Sequence, residues 1–290
     1  MIGSSTALGA SVAEERTFAA LLPPLLSRDT GRQIEVYNAA VEYQRPAALV
    51  LQLDRLLAEE PADEILWILT PTDVRDASAV TPDQGQLRRN GLIAAIRHQA
   101  AKVAETRSVH PLRESLHYLF NRSRAATVIL NYWYMNMSPD RYVDSYLDGD
   151  DSEIGFLKVQ PSAQWQDRLR NFEGYADRIV DKVNAAGVPL TAALIPDRAQ
   201  AVIIARNRWK AGFDPYALNN QLREIIETHG GTSLDVLHHY RNAPGATEDY
   251  FPVDGHPNAE GHALLARFAD ELTSASVPPT MPGNRSKQRK

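Results

Sequence analysis

Two short segments at opposite ends of the chain carry the residue types of acyl-transfer chemistry. The first is Gly3-Ser4-Ser5-Thr6-Ala7-Leu8-Gly9. Small residues at a strand-to-helix turn let the backbone approach a ligand and expose a serine at a helix start. Backbone N–H groups at that helix start can stabilise a developing oxyanion. The same Gly/Ser-rich loop also fits phosphate binding, or a turn with no chemistry. The second segment is Tyr250-Phe-Pro-Val-Asp254-Gly-His256-Pro-Asn258-Ala-Glu-Gly261-His262. An Asp and a His two apart on a loop can face one pocket. The imidazole then takes a proton from a hydroxyl, while the carboxylate orients the ring and stabilises its protonated form. Asn258 suits the N-cap of the helix that follows. An isolated Asp-x-His in a polar loop is more simply a turn. The chain has no cysteine, which excludes thiolate nucleophiles, thiolate metal sites and disulfides.

Together the two segments resemble a family. Gly3 to Gly9 is similar to the first block of the SGNH (GDSL-like) hydrolases, Gly-Asp-Ser-x-x-x-Gly. Asp254 to His262 resembles their last block, in which Asp and His precede a C-terminal helix. The family's order, serine first and Asp/His last, holds here, and the resemblance spans roughly residues 1–272. It implies Ser5 as nucleophile, His256 as base and Asp254 as the group that holds His256. It also implies a flavodoxin-like sheet between the blocks, and a mechanism without metal or organic cofactor.

The resemblance places two middle blocks as well. Asn38-Ala39-Ala40-Val41 follows a strand-like run, and Ala40 stands where the family has a glycine whose N–H serves the oxyanion hole. Thr70-Pro71-Thr72-Asp73 follows the next strand, with Thr72 where the family has an oxyanion-binding Asn. The expected oxyanion hole is therefore the N–H groups of Ser5 and Ala40 with the Thr72 hydroxyl. A backbone N–H survives a Gly-to-Ala change when the dihedrals suit alanine, and a threonine hydroxyl donates one bond at shorter reach. Ser4 also replaces the first-block Asp. Three functions follow from these departures: a serine esterase with an altered oxyanion hole, a polysaccharide O-acyltransferase on the same triad, or a non-catalytic binding protein on a decayed SGNH fold. The style of the last block resembles that of SGNH proteins that add or remove acetyl groups on polysaccharides. This makes a small-molecule or carbohydrate acyl ester the expected partner.

Other chemistry-bearing residues have plainer readings. His238 and His239 are adjacent and point apart, which argues against one metal site. His262 is expected to pack or bond locally at the start of the last helix. The acidic run Asp148–Glu153 lacks the spacing of an EF-hand loop. Trp133, among Tyr132 and Tyr134, is a core candidate before a sugar platform. Arg198 and Arg206 have the helical spacing of a solvated face, although either can meet an anionic substrate.

The elements that must position Ser5, Asp254 and His256 are legible as alternation. Ile34–Asn38, Ile65–Leu69, Ala126–Tyr132, Val188–Ile195 and Thr232–Leu237 read as short strands, the apolar ones suited to a parallel sheet covered on both faces. Helical spacing marks Thr17–Leu26, Ala47–Glu59, Leu92–Thr106, Trp165–Asn184, Arg198–Lys210, Tyr216–His229 and Ala259–Leu272. Strands alternating with helices predict a three-layer, doubly wound α/β domain with a mostly parallel five-stranded sheet. Pro71–Ser123, mostly helical, and Asn136–Ser162, loop-like, read as insertions near the site. The domain is placed at 1–273, followed by a disordered basic tail at 274–290.

Bulk properties fit this picture. The 290 residues are 43% hydrophobic and 23% charged with a net charge of -5, which disfavours a general electrostatic nucleic-acid binder. No apolar run approaches the roughly 18 residues of a membrane span. No signal peptide is visible, which gives a cytoplasmic expectation. Only two residues precede Gly3, whereas a strand feeding such a turn has about five. An upstream extension, with an extracytoplasmic destination, is the alternative expectation.

Overall fold

In the computed structural model the described residues are 1–77, 125, 128–129, 132–133 and 136–276, apart from 208, 244 and 253. They form an α/β fold on a parallel sheet. The strands are β1 (Ile2–Gly3), β2 (Ile65–Leu69), β3 (Leu190–Leu194) and β4 (Thr232–Leu234), hydrogen-bonded in the order β1-β2-β3-β4. Ile2 pairs with Trp67, Ile65 with Leu190, and Thr191 with Thr232, all parallel. All four carboxyl ends thus lie along one edge, where open α/β sheets bind ligands.

The labelled helices are α1 (Ser5–Leu8), α2 (Phe18–Thr30), α3 (Pro46–Glu59), α4 (Pro71–Arg75), α5 (Pro139–Leu147), α6 (Asp151–Ile154), α7 (Ala163–Ala185), α8 (Arg198–Arg206), α9 (Ala217–Thr228) and α10 (Ala259–Ser276). Strand β2 is apolar throughout, and Trp67, Ile68 and Leu69 are all buried, so both faces of the sheet are covered. On one of them Trp67 stacks on Phe172 of α7 at 5.7 Å between ring centroids. Helix α7 packs on α3 and α9, while α10 packs on α2. Leu49, Leu53 and Leu56 form the buried stripe of α3, which starts with Pro46 in its first turn.

Several expectations are corrected. Among the described residues the sheet has four strands, not five. Ile34–Asn38 is not a ladder strand. Strand β1 is two residues long, and the segment beside it is 37–41. The Met1 nitrogen donates to Tyr37 O (2.6 Å), Ala39 N to Met1 O (2.9 Å) and Val41 N to Gly3 O (3.2 Å). Ala126–Tyr132 is not a strand either: its described residues Val128, Ile129 and Tyr132 are helical and exposed. A short apolar run does not separate strand from helix by periodicity. Asn136–Ser162 is helical in large part. Ser138 caps α5 by accepting from Arg141 N, Pro139 opens it, and Val143 and Leu147 are its buried positions. The last helix runs to Ser276, past the boundary set at 273. Leu92–Thr106, nearly all of the 71–123 insertion and residues 277–290 lie outside the described residues.

Gly3 is closely packed at the start of the serine turn. Its φ is +149°, and a Cβ there would lie 2.7 Å from the Ile68 carbonyl oxygen and 2.8 Å from the Ala7 Cβ. Gly3→Ala is therefore expected to lower unfolding stability by about 2 kcal/mol in urea titrations; an unchanged midpoint and slope would contradict this packing.

Candidate active site

The structure brings Ser5, His256 and Asp254 together from opposite ends of the chain. Ser5 is the first residue of α1, directly after β1, where a backbone N–H has no intrahelical acceptor. Its Oγ lies 2.7 Å from His256 Nε2. That is hydrogen-bond distance for a hydroxyl donating to a neutral imidazole, which leaves the ring proton on Nδ1. Asp254 Oδ1 is 3.5 Å from His256 Nδ1 and accepts the His256 backbone N–H at 2.9 Å. Among the described residues no hydrogen bond reaches Nδ1, which is fully buried. The carboxylate is on the correct side of the ring at ion-pair distance; such contacts tighten in substrate complexes.

The loop carrying Asp254 and His256 is closed on itself. Phe251 N donates to His256 O (2.8 Å), Gly255 N to Phe251 O (3.1 Å) and Asn258 N to Asp249 O (2.9 Å). Asn258 then caps α10 as its type predicts, its Oδ1 accepting from Glu260 N (3.0 Å) and Gly261 N (3.1 Å). A Cβ on Gly261 would stand 2.2 Å from Asp249 O, so only glycine lets the helix start this close to the loop.

Two buried titratable groups lie near Ser5 and His256. His262 is not a local contact: its Nδ1 accepts from Phe18 N at 3.1 Å, 244 positions away, and clasps α10 to the start of α2. Burial, with the neighbouring His256, pushes its pKa down to about 4. Asp73, in the first turn of α4, accepts from Thr70 N and Thr70 Oγ1 at 2.7 Å each. The Ser4 hydroxyl, next to Ser5, also bonds to this carboxyl, whose pKa burial pushes up to about 6. Ser4 thus ties the serine turn to the end of β2, and makes no N-cap bond of its own.

The expected oxyanion hole is less complete. Ala40 is buried, but its N–H donates to Asn38 Oδ1 at 3.1 Å, and Asn38 Nδ2 donates to Ala7 O at 3.0 Å. The Ala40 N–H is therefore engaged in the resting site. Thr72 is exposed on the first turn of α4, where its Oγ1 faces Arg75 Nη2 at 3.5 Å, and no hydrogen bond joins it to Ser5 or His256.

Other expectations resolve differently. Arg198, read as a solvated position, is 3% exposed. Arg206 pairs with Asp140 at 2.7 Å. His238 pairs with Asp235 at 2.9 Å, and His239 stacks on Phe268 at 4.8 Å, so they do point apart. Trp133, expected in the core, is 55% exposed. In the acidic run Asp148 faces Lys210, Asp151 pairs with Lys158 and Glu153 with Arg75. No group of metal-ligating side chains and no helix suited to crossing a membrane occurs among the described residues.

Sequence reasoning missed the burial of Asp73 and Arg198 and the reach of His262. The signal for Asp73 was the Thr-x-x-Asp spacing of a capping box; Arg198 offered none, because burial of one helical arginine is decided by what packs on it. The chain matches no protein-family model and no curated protein.

Proposed function

We propose that the protein is a serine ester hydrolase of the SGNH type, acting on acyl esters with O-acetylated carbohydrate as the substrate class. The observation that carries this reading is the 2.7 Å contact between Ser5 Oγ and His256 Nε2, made across 251 positions. The frame supports it too. Residues 37–41 lie beside β1 on the edge away from β2. Counting that segment as a strand yields five in flavodoxin-like order, with the nucleophile after the first.

In this mechanism Ser5 Oγ attacks the acyl carbonyl carbon as His256 Nε2 takes its proton. The tetrahedral intermediate collapses, the ester C–O bond breaks, and His256 returns the proton to the leaving alcohol. Water then attacks the acyl-enzyme with His256 again as base, releasing the acid and restoring Ser5. Asp254 stabilises the imidazolium in both halves. The Ser5 N–H is the first oxyanion donor, and the Ala40 N–H joins it once Asn38 lets go.

The purified protein is expected to release p-nitrophenol from p-nitrophenyl acetate and to be labelled covalently by a fluorophosphonate on Ser5, located by peptide mass spectrometry. Turnover equal to that of Ser5→Ala, with no label on Ser5, would sink the hydrolase reading. Transfer of the acyl group to a glycan hydroxyl in preference to water would select the acyltransferase. One observation favours the non-catalytic alternative: the Ala40 N–H is taken by Asn38. Asn38→Ala frees it, and a rise in the labelling rate of this variant would argue for the catalytic reading.

A further inference from the structure

Arg198 lies at the start of α8, just after β3, and is almost wholly buried. A guanidinium has five N–H donors and a charge, and both are costly to remove from water without partners. Yet no carboxylate pairs with Arg198 among the described residues. Its neighbour Asp197 instead accepts from Tyr146 Oη at 2.6 Å. Arg198 Nη1 donates to the carbonyl oxygen of Pro252 at 2.6 Å, its Cζ sits 4.3 Å from the centroid of the Tyr142 ring, and its buried Nε has no acceptor. This cation is committed to one backbone carbonyl, two residues before Asp254.

The loop needs such a hold. His256 is partly exposed and Asp254 exposed, and among the described residues their side chains bond to Ser5 and within the loop. What fixes them must act through the backbone. The far arm is held by Asn258 and the close approach at Gly261. The near arm is held from the end of β3: Tyr250 Oη donates to Pro196 O at 3.0 Å, and Arg198 to Pro252 O. Resting on the reading of Ser5, His256 and Asp254 as a triad, we infer that Arg198 is a positioning residue for the base. Its guanidinium, shelved on Tyr142 of α5, grips the Pro252 carbonyl and sets where the loop presents Asp254 and His256 to Ser5. Lysine cannot stack and bond in the same way, because its ammonium is a point charge without the planar fork.

The test uses the full chain in three forms: wild type, Arg198→Met and Arg198→Lys. Hydrogen exchange is followed at residues 249–258, together with fluorophosphonate labelling of Ser5 and ester turnover. In Arg198→Met, the amides of Phe251, Gly255 and Asn258 should lose protection while those of α7 keep theirs. Labelling and kcat should fall about 100-fold with KM unchanged, as for a base displaced by about 1 Å. Arg198→Lys should recover only part of this, and added guanidinium chloride at low millimolar concentration should partly restore Arg198→Met. A general loss of packing would move α7 as well and would not respond to guanidinium. Wild-type exchange and wild-type labelling in Arg198→Met would overturn the inference while leaving the triad in place. No labelling in wild type, with the loop still loosened by Arg198→Met, would overturn the triad and keep the anchor. Should Arg198→Met fail to fold, Tyr250→Phe removes the companion bond to Pro196 and is read by the same exchange and labelling.

Discussion

Alanine at Ser5 is expected to lower turnover of p-nitrophenyl acetate by about 10⁵- to 10⁶-fold, and alanine at His256 by a similar factor. The double variant should be no slower than either single one. This follows from the 2.7 Å contact between Ser5 Oγ and His256 Nε2. A serine without its base is a poor nucleophile at neutral pH, and the base without the serine has nothing to deprotonate, so the two losses cannot add. Asp254→Asn should cost less, roughly 100-fold. A buried, hydrogen-bonded triad carboxylate is worth about 10⁴, whereas Asp254 is 48% exposed in its side chain and 3.5 Å from Nδ1. Steady-state rates of the four variants check the set. Additive losses for Ser5 and His256 would mean that they do not act as one unit.

The second large effect is on stability in acid, where His262 and Asp73 oppose each other. The folded pKa of His262 is depressed from 6.5 to about 4. Its contribution is full above pH 6.5 and is lost as pH falls towards 4, in all about 3 kcal/mol at about 1.4 kcal/mol per pH unit. The folded pKa of Asp73 is raised from 3.8 to about 6. The native carboxyl takes up its proton before the unfolded one does, so about 3 kcal/mol is regained over nearly the same fall. These two contributions should therefore nearly cancel between pH 6.5 and 4. His262→Asn keeps an acceptor for Phe18 N but does not titrate, and should gain about 3 kcal/mol on acidification relative to wild type. Asp73→Asn should lose about as much. The half-exposed Asp249 also shifts to about 6, but it is common to all three proteins and cancels from the differences. Urea unfolding at several pH values checks this; three parallel curves would refute it.

What the sequence revealed and what it concealed have physical reasons. Strand β2 was legible to the residue, because Ile65–Leu69 is apolar at every position and bounded by polar residues and Thr-Pro. Asp254, His256 and Asn258 were legible because a loop, its cap and its helix follow one another in the chain. Ser5 was legible only through its partner at the other end. The oxyanion residues were not, since whether the Ala40 N–H is free depends on where Asn38 turns its side chain. Ala126–Tyr132 misled because β-branched content imitates a strand. The helical character of 139–147 was signalled by Ser138-Pro139, but the dense acidic residues around it suggested a loop. Arg198 was hidden because only the arrival of Tyr142 and Pro252, from two other parts of the chain, buries it.

The clasp between His262 and Phe18, and the contact of Ser5 with His256, join residues separated by nearly the whole chain. On a ribosome adding about 5–20 residues per second, Ser5 is made roughly 10–50 s before His256. During that interval α2 has no α10 to pack against. The contact between Ser5 and His256 thus forms only after residue 256 has been made. On the reading of Ser5, His256 and Asp254 as a triad, a chain cut short before Asp254 lacks both the carboxylate and the base, and should show no ester turnover.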